Sequence, residues 1–243
     1  MAFVVEVRDV TKQFSLRHTH SLKELVMWTL RGRGGELRDE FTALDHINLT
    51  IEQGESVALL GLNGSGKSTL LKLISGVLRP DEGVIGVRGR VAGLIEVGAG
   101  FHPDLTGREN VYLNGAILGM TEAEIDARFE EIVAFSEIEK FLDTEVKFYS
   151  SGMFLRLAFS VAAYSQPDVF LIDEILAVGD EPFQHKCLAR IQALREDGQT
   201  LVIVTHDLEM VQRVAERGVV LRDGRVAVDG DVKDAVRLLR EGA

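Results

Sequence analysis

The 243-residue sequence contains one cysteine, Cys187, and no run of 18 apolar residues. A single cysteine excludes an internal disulfide bond and is typical of a reducing compartment. Without a long apolar run there is no candidate membrane-spanning helix, and the N-terminus lacks the charged-then-apolar order of a signal peptide. These absences predict a soluble chain whose membrane role, if it has one, depends on a partner.

Basic residues are also in the minority. There are 27 lysines and arginines against 38 aspartates and glutamates, so the formal net charge is −11. Because proteins bind nucleic acids largely through phosphate contacts with basic side chains, this balance argues against nucleic acid as a partner. The length suits one large α/β domain or a domain with an inserted subdomain.

One stretch, residues 61–69, has the phosphate-loop pattern G-x-x-x-x-G-K-[S/T] between a short apolar strand and a helical pattern. Its glycines let backbone N–H groups face a β-phosphate at the positive end of a helix. Lys67 can reach the β- and γ-phosphates, and the Ser68 hydroxyl can ligate Mg²⁺. The sequence therefore predicts a nucleoside triphosphate site. The predicted site residues are Gly61, Asn63, Gly64, Ser65, Gly66, Lys67, Ser68 and Thr69.

Polar residues follow two continuously apolar segments, 169–172 and 201–204, which predict central parallel strands covered on both faces. The carboxyl ends of such strands are where open α/β sheets bind ligands. Asp173 is predicted to hold Mg²⁺, directly or through water, and Glu174 to orient or deprotonate the attacking water. His206, after the second segment, is predicted to hydrogen-bond the γ-phosphate.

The stretch between Lys67 and Asp173 is far longer than one βαβ crossover requires, which predicts an inserted helical subdomain at 98–164. The fold class is α/β: a P-loop NTPase core with a mostly parallel sheet, helices on both faces and N-terminal antiparallel strands. Residues 1–97 and 165–243 form this core.

Within the insertion, Ser150, Ser151 and Gly152 come directly before a helix, which predicts a second anion site. A lobe with its own anion site suggests an ATP site completed by a second copy. Near the N-terminus, Phe14 is interpreted either as an aromatic that stacks on the nucleotide base or as a core residue at a strand end. Residues 15–40 include an amphipathic helix, which packs on its own domain or faces a partner subunit or the membrane surface.

These motifs resemble those of the ATP-binding cassette (ABC) ATPases over nearly the full chain. Ser150–Met153 matches the signature loop, Phe14 the base-stacking aromatic, 177–180 the loop that crosses the dimer, and His206 the switch histidine. The resemblance implies a homodimer that sandwiches two ATP molecules, each between one phosphate loop and the other copy's Ser150–Gly152.

Two motifs depart from the common family pattern. The signature reads YSSGM at 149–153, and the stretch 96–110 lacks the usual glutamine. Counting back from Pro103 puts the glutamine position at Val97, whereas metal chemistry favours Glu96 as the ligand of Mg²⁺. Glu96 is therefore the residue predicted to take the place of the glutamine as a ligand of Mg²⁺.

Both departures, with the insertion at 15–40, resemble the ATPase subunits of polysaccharide exporters for O-antigen, teichoic acid and actinobacterial galactan. The resemblance implies ATP hydrolysis coupled to export of a lipid-linked polysaccharide, a separate transmembrane permease, and a place at the cytoplasmic face of the membrane. Since the sequence ends at Ala243, no C-terminal carbohydrate-binding domain is expected. The alternatives are the ATPase of a drug or nutrient transporter and a soluble ABC ATPase of DNA repair or translation.

Overall fold

The computed structural model describes residues 3–16, 39–94, 98, 100–173 and 179–241. The predicted insertion at 15–40 lies almost entirely outside the described residues. Glu96, Val97 and Glu174 also lie outside them.

The described strands are β1 (Phe3–Leu16), β2 (Asp39–Glu52), β3 (Ser56–Leu60), β4 (Glu82–Val87), β5 (Val91–Gly93), β6 (Val169–Asp173), β7 (Thr200–Val204), β8 (Arg217–Arg222) and β9 (Arg225–Asp231). The described α-helices are α1 (Lys67–Ile74), α2 (Gly107–Ile117), α3 (Glu122–Ser136), α4 (Ser151–Tyr164), α5 (Glu181–Glu196), α6 (Leu208–Val214) and α7 (Val232–Glu241). Within these ranges, no helix is both long enough and apolar enough to cross a bilayer.

Six strands form the main sheet in the order β5-β6-β7-β3-β8-β9, in which β9 alone runs antiparallel to its neighbour. The central strands β3 and β7 are buried along their whole length, as their continuous apolar sequences predict. A second sheet, β2-β1-β4, is antiparallel. The predicted combination of a mostly parallel sheet with N-terminal antiparallel strands is confirmed.

Helices cover both faces of the main sheet because successive side chains of a strand point to opposite sides. Val57 and Leu59 of β3 pack in one apolar cluster with α1 and the antiparallel sheet. Ala58 and Leu60 pack in another cluster with α6 and α7. The predicted placement of helices on both faces of the sheet is therefore also confirmed.

Between β5 and β6 the chain forms α2, α3 and α4, which share an apolar cluster around Val111, Ile132 and Leu157. Capping boxes begin α2 at Thr106 and α3 at Thr121, so each helix starts with its first N–H groups satisfied. Helix α5 packs on the other side of α4, where burial raises the pKa of the Cys187 thiol to about 12. That thiol therefore stays protonated and unreactive at neutral pH.

Candidate active site

The phosphate loop lies between β3 and α1 and is closely surrounded. Gly61 and Gly66 both have a positive φ, 145° and 105°, and Gly66 caps the N-terminus of α1 in the left-handed region. A Cβ on Gly61 would collide with the carbonyl oxygen of Leu221, and one on Gly66 would lie 2.6 Å from the carbonyl oxygen of Ala43. Only glycine therefore fits at these two positions. The absence of a side chain lets the loop backbone pack closely against β8 and β2.

Lys67 begins α1 and is 6% exposed. Its Nζ donates hydrogen bonds to the carbonyl oxygens of Gly61 (2.9 Å) and Leu62 (3.0 Å), so the ammonium group lies against the loop's own backbone. Ser65 Oγ in the same loop is buried and has no hydrogen-bond partner among the described residues. A buried hydroxyl that lacks a partner is costly, and here it accompanies a cation at a helix N-terminus. This arrangement fits an anionic ligand such as a phosphate group.

The strand ends meet at one edge, as the sequence predicted. Asp173 of β6 pairs in register with Val204 of β7, and Val204 pairs with Leu59 of β3. His206 therefore follows β7 at the edge where the phosphate loop follows β3. His206 and the start of the phosphate loop line one cavity of about 560 Å³. Its lining residues are Leu60, Gly61, Leu62, Asn63, Thr205, His206, Leu208, Leu239 and Arg240.

Oxygen groups suited to Mg²⁺ flank this edge. Ser68 is exposed on the first turn of α1, and Asp173 is half-buried at the end of β6. Mg²⁺ prefers oxygen ligands and is commonly held by one or two protein groups plus substrate phosphates. Among the described residues, no group of three acidic, histidine or cysteine side chains is placed to hold a metal ion. The residues present therefore fit a magnesium–nucleotide complex.

The structure draws attention to an aromatic that the sequence analysis missed. Phe41 of β2 lies opposite Phe14 of β1 in the strand register, and the two side chains are 48% and 37% exposed. A cavity of about 240 Å³ over the phosphate loop is lined by Phe41, Ala43, Asn63, Gly64, Gly66, Lys67, Ser68 and Thr69. Phe14 is not among those residues, and its ring lies 5.5 Å from Lys12 Nζ. The sequence feature that could have indicated Phe41 is an aromatic residue near the start of β2, the strand that pairs with β1.

The predicted anion site at Ser150–Gly152 lies apart from the phosphate loop. Ser150 is the N-cap of α4, and its Oγ accepts a hydrogen bond from the Met153 N–H at 3.2 Å. Ser151 and Gly152 make the first turn, where backbone N–H groups face outward. These residues line a cavity of about 630 Å³ that contains no residue of the phosphate loop. Within one chain, therefore, the phosphate loop and Ser150–Gly152 do not share a cavity.

A phosphate loop at the carboxyl edge of a parallel sheet, next to a strand-end aspartate and histidine, defines a P-loop nucleotide-binding protein. The family model described as ABC transporter matches residues 44–177, which is more than half of the chain. The chain belongs to the ABC transporter family, and the resemblance inferred from its motifs is confirmed.

Several curated proteins match almost the whole chain. It is 48% identical over 242 residues to the O-antigen export system ATP-binding protein RfbB of Myxococcus xanthus, covering 97% of this chain and 55% of that protein. It is 40% identical to the protein of the same name from Klebsiella pneumoniae, with 98% of both covered. The teichoic acids export ATP-binding protein TagH of Levilactobacillus brevis is 37% identical, with 99% of this chain and 65% of that protein covered. The chain thus spans only about half of the Myxococcus relative.

Solved structures agree on the fold. A dimeric ATP-binding cassette in a post-hydrolysis state, bound to ADP and Pi, superposes with a TM-score of 0.74 at 26% identity, covering 94% of this chain and 98% of that one. The ATP-binding subunit of an ABC transporter superposes with a TM-score of 0.75 at 27% identity, covering 99% and 95%. This chain therefore has the fold of an ABC ATPase cassette.

Proposed function

We propose that this chain is the ATP-binding and ATP-hydrolysing subunit of an ABC exporter that moves a lipid-linked polysaccharide across the cytoplasmic membrane. The observation that carries the proposal is the phosphate loop with buried Lys67, set beside Asp173 and His206 at one sheet edge. The choice of a polysaccharide rests on relatives named for O-antigen and teichoic acid export.

In this proposal the chain's own residues bind and orient ATP. The first-turn N–H groups of α1 and the Lys67 ammonium hold the phosphates, and Ser68 and Asp173 hold the metal ion. Mg²⁺, when bound, neutralises charge on the β- and γ-phosphates. Glu174 orients or deprotonates the attacking water, and His206 hydrogen-bonds the γ-phosphate.

We infer that two copies act together. The anion site at Ser150–Gly152 opens on a cavity away from its own chain's phosphate loop, which supports its use on the γ-phosphate of ATP held by the second copy. The dimeric form of the solved cassette with ADP and Pi adds support. Closing around ATP and opening after hydrolysis would move the helical residues 98–164 as a lobe relative to the core.

The proposed membrane partner is a separate permease, which keeps the chain at the cytoplasmic face. Val77, after α1, and Ile117, at the end of α2, are 59% and 56% exposed although both are large and apolar. They line one groove together with Leu94, Gly98, Asn114 and Leu118. An apolar groove between the core and the helical residues is suited to a permease segment that must sense closure.

Phe41 is the proposed base-stacking aromatic. Truncation to alanine is expected to raise the KM for ATP about tenfold, since stacking on an aromatic contributes ~1–3 kcal/mol per base. Phe14→Ala is the matched comparison because it removes the same ring from the opposite strand. Steady-state ATPase titrations would measure both. If only Phe14→Ala raises the KM for ATP, Phe14 would be the base-stacking aromatic, as the sequence analysis assigned it.

The function is tested by measuring ATPase activity of the chain alone and together with a candidate permease from the same genome, reconstituted in lipid vesicles. We expect the permease to stimulate phosphate release, with the stimulated activity lost in Glu174→Gln. Disruption of the gene in its host is expected to remove the surface polysaccharide. If the isolated chain is fully active and no membrane partner changes its ATPase rate, the protein would instead be a soluble ABC ATPase.

A further inference from the structure

One aspartate extends the pairing of β1 beyond the end of β4. The pairing of β1 with β4 ends at Thr11 and Glu82, because β4 begins at Glu82. Asp81 continues it with its own groups: its N–H donates to the Thr11 carbonyl oxygen at 3.0 Å, and its Oδ2 accepts from the Gln13 N–H at 2.6 Å. Asp81 therefore takes the place of a strand along the last part of β1.

The other oxygen of the same carboxylate binds a cation on β1. Lys12 Nζ donates to Asp81 Oδ1 at 3.0 Å, and the Lys12 side chain is only 14% exposed. Hydrogen bonds from the Gln13 N–H and from Lys12 hold the pKa of Asp81 below its usual range, so the carboxylate is charged at neutral pH. Asp81 thus holds two consecutive residues of β1, in a set of contacts that we call the carboxylate clamp.

The two residues held by the carboxylate clamp flank an irregularity in the pairing of β1 with β2. Lys12 pairs with Leu44 and Gln13 pairs with Thr42, so the register passes over Ala43. One extra residue on one strand is a β-bulge, which bends that strand and changes the direction of the side chains near it. The clamp therefore fixes β1 at the step where β2 bulges.

The bulge faces the phosphate loop. Ala43 and Phe41 line the cavity over the loop, and the carbonyl oxygen of Ala43 would lie 2.6 Å from a Cβ on Gly66. Phe41 pairs with Phe14, the residue that follows the clamped Gln13. The position of the Phe41 ring over the loop therefore depends on the contacts that hold the bulge.

The structure assigns Asp81 a positioning role in nucleotide binding: it fixes the bulge that places Phe41 over the phosphate loop. Asp81 does not line the cavity to which Phe41 contributes, so it acts through the paired strands rather than by touching ATP. The inference rests on the proposed function, and within it on stacking of the base against Phe41. It predicts that loss of the clamp weakens the contribution of the base to binding and spares that of the phosphates.

The test compares ATP with inorganic tripolyphosphate, a probe that has the phosphate chain of ATP but no base. Asp81→Ala removes both arms of the clamp and is expected to raise the KM for ATP about fivefold, less than truncation of Phe41, because the ring is displaced rather than removed. Both kcat and the inhibition constant of tripolyphosphate are expected to stay at their wild-type values, since no group that contacts the phosphates changes. Steady-state ATPase titrations of the full chain, reconstituted with its candidate permease, measure these constants.

Glu82→Ala is the matched control. It removes the neighbouring carboxylate, which is exposed, and so makes the same change in net charge without removing a contact of the clamp. It is expected to keep the wild-type KM for ATP. An equal rise in Glu82→Ala would show an effect of charge alone and would overturn the inference, as would an equal weakening of tripolyphosphate binding in Asp81→Ala.

A double-mutant cycle tests whether Asp81 acts through Phe41. With Phe41→Ala in place, Asp81→Ala is expected to raise the KM for ATP little further, since the ring that the clamp positions is gone. A full additional rise would overturn the inference. If Asp81→Ala folds poorly, Lys12→Met removes one arm of the clamp and keeps the aliphatic stem, and it is expected to raise the KM for ATP about threefold. A wild-type KM in Lys12→Met would count against the clamp.

The failure of this inference can be distinguished from the failure of the proposed function. A raised KM for ATP in Phe41→Ala with a wild-type KM in Asp81→Ala would overturn the role of Asp81 alone. A wild-type KM in Phe41→Ala would overturn both the stacking role of Phe41 and the inference that rests on it. Absence of ATP hydrolysis in the wild-type protein would overturn the proposed function as well.

Discussion

Glu174→Gln is expected to bind ATP as well as the wild type and to hydrolyse it at least about 100-fold more slowly, because general bases typically contribute 10²–10⁴-fold. Glu174 directly follows Asp173, whose carboxylate ends β6 at the edge shared with the phosphate loop. Glutamine keeps the size of the side chain but cannot accept a proton from water. Phosphate release and equilibrium ATP binding are the two measurements.

The same variant should accumulate as an ATP-bound dimer, because in the proposed cycle closure needs ATP binding and reopening needs hydrolysis. Size-exclusion chromatography in ATP and Mg²⁺ would detect it. Glu130→Gln, an exposed glutamate on α3, is the matched control and should behave as wild type. Normal turnover by Glu174→Gln would remove Glu174 from its proposed role.

Lys67→Ala is expected to weaken ATP binding about 100-fold, since truncating a buried, hydrogen-bonded charge costs ~2–5 kcal/mol. The Lys67 ammonium is buried against the carbonyl oxygens of Gly61 and Leu62, at the N-terminus of α1. Without it, the phosphates keep the backbone N–H groups but lose their nearest loop cation. Isothermal titration with ATP would measure the change.

Two controls separate lost phosphate binding from lost folding. Lys140→Ala removes an exposed lysine of the helical part and should bind ATP normally. Lys67→Met keeps the packing of the aliphatic stem, so its thermal unfolding should match the wild type while its ATP affinity falls. Wild-type affinity in both Lys67 variants would show that the nucleotide does not bind at this loop.

The motifs near the phosphate loop could be predicted because their information is local. Gly61 and Gly66 are spaced for a turn with positive φ, and Lys67 and Ser68 follow at the helix start. Asp173 ends one apolar strand and His206 follows shortly after another, and parallel strands bring their carboxyl ends to one edge whatever the rest of the chain does.

The position of the aromatic over the phosphate loop could not be read in the same way. Phe14 is near in sequence to a motif, whereas Phe41 reaches the loop's cavity through the pairing of β1 with β2. That pairing shifts register several times along its length, so a partner cannot be found by counting residues. Only the folded sheet decides which ring lines the cavity.

The sequence by itself determined the phosphate-loop motif, the α/β fold and the family, because glycine turns, strand patterns and helix starts depend on neighbouring residues. The tertiary structure decided what meets across the chain: Phe41 over the phosphate loop, and Asp81 against Lys12 and Gln13. Such contacts depend on how helices and strands pack, and packing is set by the shape and volume of all their side chains together.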